Sequence, residues 1–290
     1  MATEPDGHPY AILDVFTDTP LEGNPVAVFP EAEQIPSRLM QATARELNLS
    51  ETVFVLPGEP AAGIDAEVRI FTPAAELPFA GHPVLGAAFV IGARGGQDTV
   101  RLRTGSGIVP VRLRREGARI TAGEMEQPIP KVEPFAEPQR LLAALGVDRA
   151  ALPIEVYDNG PKHVIVTLAD EAEVTGLIPD MAALSALGAY GFSCFARLKS
   201  GGAAVRTRMF APALGVPEDP ATGSAAGPLV VHLAWHERIR FGETIEIHQG
   251  AEIGRPSRLI ARVDGTAENI ERVAVGGSAV TVAHGHFRLQ

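Results

Sequence analysis

The sequence predicts an α+β fold assembled from two similar halves, and three observations carry that expectation. Short β-rich apolar runs are joined by Gly- and Pro-containing turns, with strongly apolar helical runs after Gly81 and after Thr222. That is the pattern of strands with segregated helices rather than of alternating βαβ units. Residues 69–78 (RIFTPAAELP) and 208–217 (RMFAPALGVP) share Arg-x-Phe-x-Pro-Ala-x-x-x-Pro at an offset of 139 residues (208 minus 69), and each leads through small residues into an apolar helix. A second echo sets Thr104-Gly105-Ser106-Gly107-Ile108 against Gln249-Gly250-Ala251-Glu252-Ile253, offset by 145 (249 minus 104). A period near half of the 290 residues indicates two like domains, since solenoid units run about 20–50 residues.

Taken in order, residues 10–16 read as a strand, with a turn at Thr19-Pro20. Gly23-Asn24-Pro25 leads into a strand over 26–29, and residues 31–49 carry helical spacing with Ser37 as a candidate cap. Strands follow at 53–56 and 68–71, then an apolar helix over 83–91, where Pro83 suits a first turn whose N–H groups have no partner. Residues 100–113 alternate around Gly105 and Gly107 as a hairpin with one wet face. The Pro- and Glu-rich run 127–138 reads as a linker. The second half then offers a helix at 139–145, strands at 154–156 and 163–168 split by Asp158-Asn159-Gly160-Pro161, a helix at 181–187 and a strand at 194–198. The stretch 208–233 reads as strand, turn and helix, and strands at 245–248, 258–263, 273–275 and 279–282 complete the chain.

Composition narrows the function classes. Hydrophobic residues make up 46% and charged residues 21%, the balance of a globular chain. A net charge of −10 makes nucleic acid and anionic membrane poor partners. The single cysteine, Cys194, excludes an internal disulfide and a cysteine zinc cluster, fits a reducing cytoplasm, and reads as a core residue between Phe192 and Phe195. The acidic N-terminus lacks an apolar signal core, and no apolar run approaches the roughly 18–20 residues that span a bilayer.

Chemistry-bearing residues cluster at the starts of the two apolar helices. Thr222-Gly223-Ser224 precedes the second, and a helix start carries unpaired N–H groups and partial positive charge, a ready site for a carboxylate or phosphate. Asp219 lies just upstream, although before Pro220 it is equally a turn former, and Ser224 is equally an N-cap. At the first helix, His82 follows Gly81; it suits contact with a bound substrate or a role as a capping or surface residue. Glu51 stands at the mouth of an apolar strand, where desolvation suits a general base, but local sequence by itself favours an exposed Glu51. Gly105-x-Gly107 lacks the third glycine of a dinucleotide loop. His232 and His236 have i, i+4 spacing, but Leu233 stands where a zinc protease carries its Glu, which argues against a metal site.

Together these residues resemble the phenazine-biosynthesis isomerase family (PhzF-like). The likeness runs through Leu21-Glu22-Gly23-Asn24-Pro25, Asn48-Leu49-Ser50-Glu51, residues 69–86, Gln127-Pro128-Ile129-Pro130, Asn159-Gly160-Pro161-x-His163, residues 219–229 and residues 249–257. It implies two pseudo-symmetric α+β domains of diaminopimelate-epimerase-like fold, each a rolled β-sheet around a central helix, over 1–125 and 126–281. A strand at about 282–290 would return to the first. It implies catalytic residues Glu51, His82 and Asp219, and substrate-binding residues Asn24, Gly81, Gly223 and Ser224. Pro220 departs locally from the family pattern. The paired positions Gly81-His82 and Gly223-Ser224 carry no cysteine, which rules out a two-thiol racemase. The implied reaction is isomerisation of trans-2,3-dihydro-3-hydroxyanthranilate to an aminoketone, without cofactor or metal, in a cytoplasmic homodimer that meets neither nucleic acid nor membrane. The alternatives are a same-fold isomerase or epimerase of another small amino acid, and a non-catalytic small-anion-binding protein.

Overall fold

Apolar alternation and turn residues place the strands of the first half in chain order. They are β1 (His8–Val15), β2 (Asn24–Phe29), β3 (Glu51–Glu59), β4 (Ile64–Phe71), β5 (Glu76–Leu77), β6 (Thr99–Thr104), β7 (Gly107–Glu116) and β8 (Arg119–Gln127), with helices α1 (Ser37–Leu47) and α2 (Gly81–Gly95). These positions come from a computed structural model that describes residues 7–199 and 203–289. Residues 1–6, which hold most of the acidic N-terminal run, and residue 290, the last of the expected returning strand, lie outside the described residues. The chain divides into two compact units, one drawn from Met1–Met125 with Gly276–Gln290 and the other from Glu126–Val275.

In the first unit β1 and β2 pair antiparallel, β2 and β3 parallel, β3 and β4 antiparallel, β4 and β6 parallel, then β6 with β7 and β7 with β8 antiparallel. The closing strand Ala279–Phe287 lies antiparallel along β1, from His8 opposite Phe287 to Val15 opposite Ala279. α2 packs against β1, β2, β3, β6 and β7. Its run of buried residues from Gly81 to Phe89 explains the sequence: a helix that is apolar all round is one enclosed by its sheet.

The second unit contains β9 (Lys131–Pro134), α3 (Pro138–Leu145), β10 (Glu155–Asp158), β11 (Lys162–Thr167), α4 (Glu171–Thr175), α5 (Met181–Ser185), β12 (Gly191–Arg197), β13 (Ala204–Ala211), β14 (Val216–Asp219), α6 (Gly223–Trp235), β15 (Thr244–Gln249) and β16 (Ser257–Gly265). Its pairings repeat the order of the first: β10–β11 antiparallel, β11–β12 parallel, β12–β13 antiparallel, β13–β15 parallel, β15–β16 antiparallel. α6 is the counterpart of α2, buried from Gly223 to Ala234 and packed on β11 and β16. Full burial of each Val or Leu along it contributes roughly 1.5–3 kcal/mol.

The repeated Arg-x-Phe has a physical basis. In each copy the arginine makes a two-pronged ion pair with a glutamate on the next short strand and lies over the phenylalanine two residues on. Arg69 reaches Glu76 at 2.7 Å through both contacts and sits 5.1 Å from the Phe71 ring. Arg208 reaches Glu218 at 2.9 and 2.8 Å and sits 5.0 Å from the Phe210 ring. The copies differ in burial. Arg208 and Glu218 side chains are each 10% exposed, whereas Glu76 is 43% exposed. Breaking the buried pair costs roughly 3–5 kcal/mol, the exposed one about 1 or less.

Three local expectations need correction. The helix expected over 31–49 starts only at Ser37, because Pro36 is the extended residue ahead of it and holds Ile35 out of the helical region. Ser37 is therefore not a cap, and its hydroxyl instead accepts from the Arg69 guanidinium at 2.6 Å. Pro83 is the third helical residue of α2, not the first, since the helix begins at Gly81. The run 127–138 is more than a linker: Gln127 is buried, and β9 pairs antiparallel with β10.

Candidate active site

Parallel pairing of β2 with β3 places Val26 opposite Glu51, so the starts of both strands come together. Asn24 is fully buried there, and its Oδ1 accepts from the Ser50 hydroxyl at 3.4 Å. Glu51 is not the exposed residue that its local sequence favours: its side chain is 16% exposed, and its Oε2 lies 3.3 Å from His82 Nε2 at the start of α2. His82 is neither a cap nor a surface residue. It is 4% exposed, and the N-cap of α2 is Ala80.

Burial pushes His82 down to about 3, against the opposing effect of a hydrogen bond to the Pro25 backbone. Proline has only a carbonyl to offer, so the imidazole donates that bond, and with Nε2 turned to Glu51 the donor is Nδ1. A neutral ring with its proton on Nδ1 presents a lone pair at Nε2. The nearby Glu51 oxygen is thus matched to that nitrogen when the carboxyl carries a proton. The first unit therefore brings Asn24, Glu51, Gly81 and His82 into one cluster.

The second unit builds its cluster around the start of α6. Asp219 ends β14, is 7% exposed, and accepts the Thr222 hydroxyl at 2.5 Å. Gln249, at the end of β15, donates to the Asp219 carbonyl at 2.7 Å and to the Thr222 hydroxyl at 3.0 Å, and accepts the Thr222 N–H at 3.2 Å. Gly250 follows with φ +81; a Cβ there would stand 2.4 Å from the Pro220 carbonyl oxygen, so only glycine lets these two turns touch. The second sequence echo thus serves to seat Asp219.

The N-cap of α6 is Thr222, which makes Gly223 and Ser224 its first helical residues and leaves their N–H groups ahead of any helical acceptor. Pro228 sits inside this helix and has no N–H to give back to Ser224 four residues earlier. The Asn159 side chain supplies the missing donor, 2.9 Å from the Ser224 carbonyl, and Gln127 donates to the Gly223 carbonyl at 2.8 Å. Ser224 Oγ lies 3.0 Å from His163 Nε2. Gly223 and Ser224 are held by buried amides and an imidazole, at a helix start, the kind of position whose N–H groups can receive an anion.

Gln249, Gln127, Asn159 and His163 are the neighbours of this cluster to which residue-by-residue reading gives no role. A proline within a helical pattern was the available signal, because it requires an outside donor.

Burial also pushes His163 down to about 4, with the Asp158 charge opposing. Both His82 and His163 stay neutral when folded and take up protons when unfolded, near 6.5. Stability from this source is complete above about pH 6.5 and lost as pH falls toward their folded values. Each ring is expected to cost the fold roughly 2–3 kcal/mol at about pH 4.5 relative to neutral pH. Urea unfolding at the two pH values checks this. His163→Gln should lose less stability on acidification than the parent, and an equal loss would show that His163 takes no part.

Comparison with known proteins follows the same outline. Residues 13–285 match the family model described as phenazine biosynthesis-like protein. The trans-2,3-dihydro-3-hydroxyanthranilate isomerase of Pseudomonas aeruginosa is 49% identical over 282 residues, covering 97% of this chain and 100% of that one. The crystal structure of a PhzF-family phenazine biosynthesis protein of Bacillus anthracis superposes with a TM-score of 0.84 at 24% identity, over 97% of this chain and 99% of the other. A probable proline racemase of Agrobacterium radiobacter shares the fold at a TM-score of 0.73 and 13% identity, over 98% of this chain and 93% of the other.

Proposed function

The chain belongs to the phenazine biosynthesis-like family, and from that membership we propose that it isomerises trans-2,3-dihydro-3-hydroxyanthranilate to the corresponding aminoketone by proton transfer. The observation that carries this reading is the Glu51–His82 pair, 3.3 Å apart, with a neutral imidazole whose Nε2 can accept a hydrogen bond once the Glu51 carboxylate has taken up a proton. The substrate is chosen by the 49% identity, over nearly the whole chain, to the Pseudomonas isomerase.

Glu51 takes the proton from C3 of the ring, and the electron pair moves through the conjugated system to C1. Glu51 then returns a proton to C1. The enol so formed tautomerises to the ketone, and the atoms of substrate and product balance without any co-reactant. His82 steadies the proton while Glu51 holds it. Asp219 serves the hydroxyl and amino groups of the substrate, with Asn24 and Gly81 as further contacts. Gly223 and Ser224 take its carboxylate on their N–H groups. No metal or organic cofactor enters these steps. The reading extends to a cytoplasmic homodimer; among the described residues no helix is long and apolar enough to cross a membrane.

The direct test is to incubate the purified protein with the dihydro-hydroxyanthranilate in D₂O, and separately with C3-deuterated substrate in H₂O. The expected product carries deuterium at C1 from solvent, from C3, or from both, as the protonated Glu51 exchanges. An unconsumed substrate would remove this assignment and leave the isomerases of other small amino acids as the reading.

A further inference from the structure

We propose that Glu155, His232 and His236 form a binding site for a divalent transition metal of the zinc class, at the end of α6 opposite to the anion-binding start. Sequence spacing shows only the two histidines; the carboxylate comes from β10, 77 residues before His232 in the chain. One ligand atom from each of the three residues lies within 4.8 Å of the others. Glu155 Oε2 is 3.2 Å from His232 Nδ1 and 2.9 Å from His236 Nε2.

The spacing suits a small ion. Metal–ligand bonds of about 2.0–2.1 Å at tetrahedral angles set neighbouring ligand atoms about 3.3 Å apart. The two measured separations need to open by only a few tenths of an ångström. Two imidazole nitrogens and one carboxylate oxygen form a donor set that favours zinc, cobalt or nickel over magnesium or calcium. A water completes the four, and it has a way in: His232 is fully enclosed, but the side chains of His236 and Glu155 are each 22% exposed.

Outer contacts orient the ligands. Thr167 Oγ1 lies 3.2 Å from His232 Nε2, so a bond between them turns Nδ1 toward the carboxylate. The Tyr157 hydroxyl stands 2.9 Å from both Glu155 Oε2 and His232 Nδ1. Without an ion, these groups form a hydrogen-bonded knot in which three partners share one carboxylate oxygen. With an ion, they clamp the last turn of α6 to the sheet. The site lies outside the residues proposed for proton transfer, so its role is to hold the helix and not to take part in turnover.

The test uses the full chain, stripped with a chelator and titrated with Zn²⁺ alone, then with Co²⁺ and Mg²⁺. The expected result is one zinc per chain, cobalt absorption bands of four-coordinate geometry, no response to magnesium, and a melting point raised by at least about 3 °C at saturating zinc. His236→Gln and Glu155→Gln should each weaken zinc binding at least about tenfold, and turnover by the His236→Gln protein should match the parent with or without chelator. His236 is a partly exposed ligand, so its Gln variant keeps the test usable if variants at enclosed His232 do not fold. Zinc bound equally well by parent and by both variants, or not bound by the parent, overturns the proposal.

Discussion

Glu51→Gln is expected to fold and bind substrate as the parent does, and to turn it over at least about a hundredfold more slowly. A positioned general base contributes about 10²–10⁴-fold in rate, and the glutamine amide accepts no proton. The fold should survive because the amide N–H can donate to the His82 Nε2 lone pair across the 3.3 Å that separates the two side chains. The loss should fall on kcat with KM little changed, as for an interaction made only in the transition state. Steady-state kinetics on the dihydro-hydroxyanthranilate make the check. Near-parental kcat would move the base to Asp219 or His82.

Gly223→Val is expected to weaken substrate binding by roughly 10–100-fold, the value of one charge-assisted hydrogen bond of about 1.5–3 kcal/mol. Glycine lets an anion come close to the backbone at a helix start, and a branched side chain on the first helical residue holds it off. Ser224→Ala should behave differently. Its N–H remains, but the hydroxyl that meets His163 Nε2 at 3.0 Å is lost, leaving a buried ring short of a partner. That variant should lose roughly 1–3 kcal/mol of stability and less affinity than Gly223→Val. Isothermal titration with a non-reacting substrate analogue, beside urea unfolding, separates the two. Equal affinity in Gly223→Val and the parent would count against backbone recognition of the carboxylate.

The α+β class, the paired apolar helices and the helix start at Gly223 were legible in the chain because each is a local property, whereas local sequence puts the first helix at Pro83, past its true start at Gly81. Periodicity, glycine placement and the Arg-x-Phe-x-Pro repeat lie within a few residues of the structure they dictate, and the family resemblance named Glu51, His82, Asp219 and Ser224 through motifs equally short. What the tertiary structure decided is which distant groups meet. Burial of Glu51 follows from the pairing of β2 with β3 beneath the start of α2, and its own neighbours in sequence argued for exposure. Asn159 answers the carbonyl freed by Pro228 across 65 residues, and Glu155 meets His236 across 81. A sequence pattern can show that a partner is needed, as Pro228 does, but not which residue supplies it, because side chains far apart along the backbone are brought into hydrogen-bond range only when the sheet wraps the helix and water is excluded.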